Sequence, residues 1–156
     1  MEQTVDQVLD DLQQRRRPPW SVSILLLMLL GCYLLSGFGH WNVWGVIDAD
    51  ALDQYGALRT DLVDQGQVWR LVASVMLHAG WIHFLLNILN VYVLGLFIVY
   101  FYGNAWFWVS FVLAGLNGSL LTWALATERT VGASGALFGW IGMLLVIGWK
   151  YRSELQ

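Results

Sequence analysis

Ser134 is the one hydroxyl in "GASGALFGWIG" (132–142), set among four glycines and two alanines. A stretch so poor in bulk serves either close helix packing or a reaction in which backbone must come near the hydroxyl. Upstream, His78, His83, Asn87 and Asn90 fall within one apolar segment. Polar side chains in such a segment are costly and find partners. His83 and Asn87 are four residues apart, so both project from one face of a helix. The chemistry this set suits is nucleophilic: a hydroxyl attacks, and N–H donors meet the charge that develops. The same donors can also bond across helices and simply hold a bundle together. Gly135 and Gly139 have small-xxx-small spacing, which favours close helix approach. His78 and His83, five apart, are expected to splay around a helix with no carboxylate near, so a metal site is not expected.

Composition places these residues in a bilayer. The chain has 156 residues, 58% of them hydrophobic and 12% charged, with a mean hydropathy of +0.57. Such a chain cannot clothe itself in charge, which implies an integral membrane protein of one domain. The net charge of −3 resides in loops and termini, and no basic surface suited to nucleic acid is present. Ten tryptophans suit the aromatic belts at the bilayer interfaces. Cys32 is the single cysteine, so no intramolecular disulfide can form.

The elements that must position the polar residues follow from the apolar runs. Residues 1–19 form a polar cytoplasmic segment, with Val5, Val8, Leu9 and Leu12 at helical spacing and Arg15, Arg16 and Arg17 before Pro18 and Pro19. The membrane domain spans 20–156. Its first helix, TM1, covers 20–38, and no A-x-A cleavage pattern follows it. The loop 39–73 holds Asp48, Asp50, Asp53, Asp61 and Asp64 beside Trp41, Trp44 and Trp69. It reads as an interfacial or re-entrant element whose aspartates form a polar outer face. TM2 covers 78–102, TM3 105–126 and TM4 134–149, with a polar turn at 127–131. Arg15, Arg16, Arg17, Lys150 and Arg152 against Arg59, Arg70 and Arg129 place both termini in the cytoplasm. Four spans then put the long loop outside. TM4 covers only about 24 Å at ~1.5 Å per residue, less than the ~30 Å hydrocarbon core. Ser134 is therefore expected below the outer surface, at the depth of His83 and Asn87.

Together these residues resemble a known family. "WRLVASVMLHAGWIHFLLNILNVYVLG" (69–95), followed by "GASGALFG" (132–139), is similar to the rhomboid intramembrane serine proteases. The match comprises a Trp-Arg pair in the first loop, an H-x-x-x-x-H-x-x-x-N array on the second core helix, and G-x-S-G opening the fourth. It covers about residues 50–150. The resemblance implies an all-α polytopic helical bundle with four transmembrane helices of the family's usual six. It implies Ser134 as nucleophile, and His83 and Asn87 lining the oxyanion hole with the Ser134 backbone N–H. His78 matches a structural histidine, Trp69 and Arg70 a structural pair, and Phe138 a position where an aromatic ring packs on the catalytic histidine. Gly132 and Gly135 would let backbone approach the substrate carbonyl. The implied substrate is a transmembrane protein cleaved near the outer membrane face, and the implied location a bacterial inner membrane. No metal or nucleotide cofactor is implied.

The chain also departs from the family pattern. The family's base is a histidine on its sixth core helix, whereas His40, His78 and His83 are the three histidines here and none follows Ser134. One reading is a serine endopeptidase in which a complementary C-terminal fragment supplies the last helices and the base, so that the 156 residues alone are inactive. Its exposed apolar flank would then favour that fragment or self-association. A second is a non-catalytic rhomboid-like module that binds transmembrane clients, which the intact G-x-S-G disfavours. A third is an unrelated helical scaffold whose polar residues only pack.

Overall fold

The computed structural model describes residues 19–125, 129–150 and 152. The amphipathic helix and arginine cluster expected before Pro19, and residues 126–128 before Arg129, lie outside this range. Seven helices are described: α1 (Trp20–Gly37), α2 (Ala49–Tyr55), α3 (Thr60–Asp64), α4 (Arg70–Met76), α5 (Trp81–Tyr102), α6 (Asn104–Ala124) and α7 (Ser134–Lys150). Among the described residues, β geometry is confined to three isolated bridges.

Three of these helices, α1, α5 and α6, are long and apolar enough to cross a membrane. In hydrocarbon every backbone N–H and C=O must be satisfied within the segment, so uninterrupted apolar runs of this length fold as helices. The fourth apolar helix, α7, has 17 residues and falls below that length. The α5–α6 hairpin turns on Gly103 alone. Its N–H donates to the Val99 carbonyl at 2.9 Å, and its own carbonyl accepts from Phe107 N–H at 3.1 Å. A φ of +86° explains why glycine stands there.

The site depends most on how α6 and α7 pack. A Cβ on Gly118 would lie 2.9 Å from Gly135 Cα, and one on Gly139 would collide with the Ala114 side chain. Lipid tails are as apolar as leucine, so helices in a bilayer associate through close packing and polar bonds rather than hydrophobic gain. Both operate here. Trp140, fully buried, packs on Phe107 and Phe111 and donates its indole N–H to Ser110 Oγ at 2.8 Å. Outward-facing Leu27, Leu35 and Leu145 remain about two-thirds exposed, as lipid-facing residues do.

The region between α1 and α4 is folded rather than draped. Helices α2 and α3 lie within it, and Ile47 N–H donates to the Ala79 carbonyl at 2.8 Å. Asp53 departs from the expectation of a merely polar outer face. Its side chain is 15% exposed and bonded to two arginines, while Asp48, Asp50, Asp61 and Asp64 stay exposed.

Candidate active site

Helix α7 begins at Ser134, and backbone hydrogen bonds tie the segment leading into it to Leu58 and to α4. Thr130 and Leu58 exchange both backbone hydrogen bonds at 3.0 Å, and Gly132 N–H donates to the Ser74 carbonyl at 2.9 Å. Ser134 is exposed and stands where two hollows meet. One is a groove of about 580 Å³ between α6 and α7, which Ser74, Gly118 and Phe138 also line. The other is a pocket of about 240 Å³ shared with Asn87, Asn90 and Phe138.

His83 and Asn87 sit one turn apart on α5. The His83 ring lies against Gly132, where a Cβ would meet Cε1 and Nε2 at 2.8 Å. Gly132 also has φ +123°, so a side chain there is excluded twice. Asn87 is buried. Its Nδ2 donates to the His83 carbonyl at 2.9 Å, and its Oδ1 has no partner among the described residues. That bond uses one of the two Nδ2 hydrogens, and the second remains available to a ligand in the pocket. Asn90, by contrast, is exposed and donates to the Leu86 carbonyl of its own helix.

His78 differs from the sequence-based expectation. Helix α5 starts only at Trp81, after Gly80 in extended backbone (φ −175°, ψ 169°), so His78 is not on the helix. The chain turn brings it back, and its ring centre lies 5.2 Å from that of His83 rather than splayed from it. His78 is fully buried and meets Phe84 edge-on at 5.5 Å. Among the described residues no group of three His, Cys, Asp or Glu side chains converges as a metal site would need.

Trp69 and Arg70 act on the loop rather than in the pocket. Arg70 is buried, and its Nη1 donates to the carbonyls of Asp53 (2.7 Å) and Ala57 (3.0 Å). The Trp69 ring fills the space over Gly56, whose φ of +108° closes α2. Phe138 is 73% exposed and forms the shared rim of both hollows. Gly135 is the contact with Gly118.

These geometries can be set beside known proteins. The sequence model described as "Rhomboid domain" matches residues 65–156. The chain belongs to the rhomboid family. Rhomboid protease GluP of Bacillus subtilis (strain 168) is 30% identical over 139 residues, covering 89% of this chain and 26% of that protein. RHOMBOID-like protein 5 of Arabidopsis thaliana is 37% identical over 97 residues, 60% of this chain and 31% of the relative. Rhomboid-like protein 11, chloroplastic, from the same plant, is 26% identical over 155 residues, 95% of this chain and 51% of its own length. This rhomboid chain thus spans about a quarter to a half of the curated relatives it matches. With its apolar helices, family membership makes it an integral membrane protein.

Three further residues near the site were not singled out from sequence for it: Asp53, Ser74 and Arg129. Arg129 Nε and Nη2 donate to the two Asp53 carboxylate oxygens at 2.7 and 2.8 Å. Their separation of 76 residues leaves no local signal, and Ser74 contributes only a backbone carbonyl, which any residue carries.

Proposed function

We propose that this chain is the nucleophile-bearing part of a rhomboid intramembrane serine endopeptidase that cleaves transmembrane proteins near the outer membrane face. The observation that carries this reading is the placement of Ser134: it opens α7 in a pocket it shares with the buried amide of Asn87, beside a glycine on which the His83 ring rests.

Ser134 Oγ bonds to the substrate carbonyl carbon while its proton passes to a base, and the carbonyl oxygen takes up the negative charge. Asn87 Nδ2, His83 and the Ser134 backbone N–H are the donors for that oxygen. Preorganised donors of this kind are each worth ~10²–10³ in rate. The C–N bond then breaks, the amine leaves with the proton, and water hydrolyses the ester to return Ser134. Gly132, bare on the side facing His83, lets the imidazole lie against the backbone that leads into Ser134, and Phe138 walls the pocket. His78, Trp69 and Arg70 support this arrangement from behind.

His83 is engaged as a donor in this scheme, so the base is a histidine outside these 156 residues, brought by a complementary C-terminal segment. The chain on its own is therefore inactive, both its ends face the cytoplasm, and its membrane is the bacterial plasma membrane. A fluorophosphonate probe tests the reading. Ser134 is expected to label once the complementary helices are present and not in Ser134→Ala. Specific binding of transmembrane clients that survives Ser134→Ala, with no labelling in any state, would replace it by the client-binding module.

A further inference from the structure

The segment leading into Ser134 is closed into a ring of bonds that begins and ends on α4. Arg70 of α4 holds the Asp53 backbone through its carbonyl at 2.7 Å. The Asp53 carboxylate takes both Arg129 donors, at 2.7 and 2.8 Å. Thr130, next in the chain, pairs with Leu58. Gly132 N–H returns to α4 at the Ser74 carbonyl, 2.9 Å. Arg70 and Ser74 are four residues apart, one helical turn. Such surface ion pairs are usually worth little. This one differs in being two-pronged on a carboxylate 15% exposed, whose own backbone is tied down by a buried arginine.

We propose that Asp53 is a positioning residue for Ser134: by holding Arg129 against the α4-anchored loop it sets the backbone from 129 to 133, and so the register at which α7 starts. This rests on the reading of Ser134 as the nucleophile. Asp53 touches neither substrate nor Ser134. Its effect passes through backbone geometry, to which rates are steeply sensitive: ~1 Å of misplacement costs on the order of 10²-fold. Arg59 also donates to Asp53 Oδ2, at 2.9 Å. It has a second partner in Asp61, so it steadies the carboxylate without linking to α7.

The test uses the protein as its gene encodes it, in native membranes, with two readouts. One is amide exchange at Thr130 and Gly132; the other is fluorophosphonate labelling of Ser134, resolved into its saturating rate and half-saturating concentration. Asp53→Asn should raise exchange at both amides and lower the saturating rate about tenfold with the half-saturating concentration unchanged. Asp53→Glu should restore the rate to within about twofold, and Arg129→Gln added to Asp53→Asn should cost nothing further. Asp61→Asn should leave both readouts at wild type. Should Asp53→Asn lose protection in the cores of α5 and α6, Arg129→Lys, which keeps the charge but not the two-pronged bond, carries the comparison. Wild-type labelling rates in Asp53→Asn, or unchanged exchange at Thr130 and Gly132, overturn the proposal. Absence of labelling in the wild type overturns the nucleophile reading instead, and with it any role in positioning.

Discussion

The His83 ring rests on the bare α-carbon of Gly132, so close that a Cβ would stand 2.8 Å from two of its ring atoms. This contact joins α5 to the approach of α7 and sets where an imidazole N–H can point relative to Ser134. His78 stands on another side of the ring, its centre 5.2 Å away.

Gly132→Ala should therefore be more damaging than a methyl group suggests. The backbone there has φ +123°, which costs an L-residue on the order of 1–3 kcal/mol, and the ring must shift as well. A melting curve in detergent should show destabilisation of about that size or more, and Ser134 labelling in the assembled enzyme should disappear.

Asn87→Ala removes the proposed oxyanion donor and should lower turnover by ~10²–10³, leaving substrate KM nearly unchanged. Asn90→Ala on the same helix should do little, since its amide is exposed to solvent where that of Asn87 is buried. Comparing kcat for the two variants checks the assignment. Equal losses would remove Asn87 from the oxyanion hole.

The two arginines should make the Asp53 clamp persist into acid. The Arg129 guanidinium, then that of Arg59, holds the Asp53 carboxyl below the usual carboxylate range against the opposing effect of partial burial. A carboxyl whose folded pKa is depressed contributes stability that is fully present above its unfolded pKa, about 3.9, and lost as pH falls through the lower folded value. Protection of the Thr130 amide, its slowing relative to intrinsic exchange at the same pH, should stay high at pH 5 and fall only below about pH 4. In Asp53→Asn that protection should be low and flat with pH across the window.

Helix packing offers a stability test with its own control. Gly118→Val would drive a side chain into the Gly135 backbone, 2.9 Å from where its Cβ would sit. Overpacking of this kind typically costs ~1–3 kcal/mol, and displacement of α7 should also suppress labelling of Ser134. Gly142→Val has open space around its Cβ and should change neither. Unfolding of the two variants, monitored side by side in one detergent, separates packing from simple loss of glycine.

The long apolar helices and the identities of the polar groups are legible in the sequence, whereas α2, α3 and α4 fall in or beside what reads there as a loop. Apolar runs in a bilayer have one way to satisfy their backbone, and the i, i+4 relation of His83 and Asn87 is local, so both are legible residue by residue. The shortness of α7 and its start at Ser134 were legible for the same reason. The tertiary structure alone decided which aspartate matters and what holds α7 in place. Asp48, Asp50, Asp53, Asp61 and Asp64 look alike in the chain, and only the fold brings Arg129 to Asp53 across 76 residues. It likewise returned His78 to His83 by starting α5 three residues later than the apolar run begins. Pairing across a fold depends on where whole elements pack: the small-xxx-small spacing of Gly135 and Gly139 marks one side of a close approach, but only the fold supplies Gly118 and Ala114 as its partners.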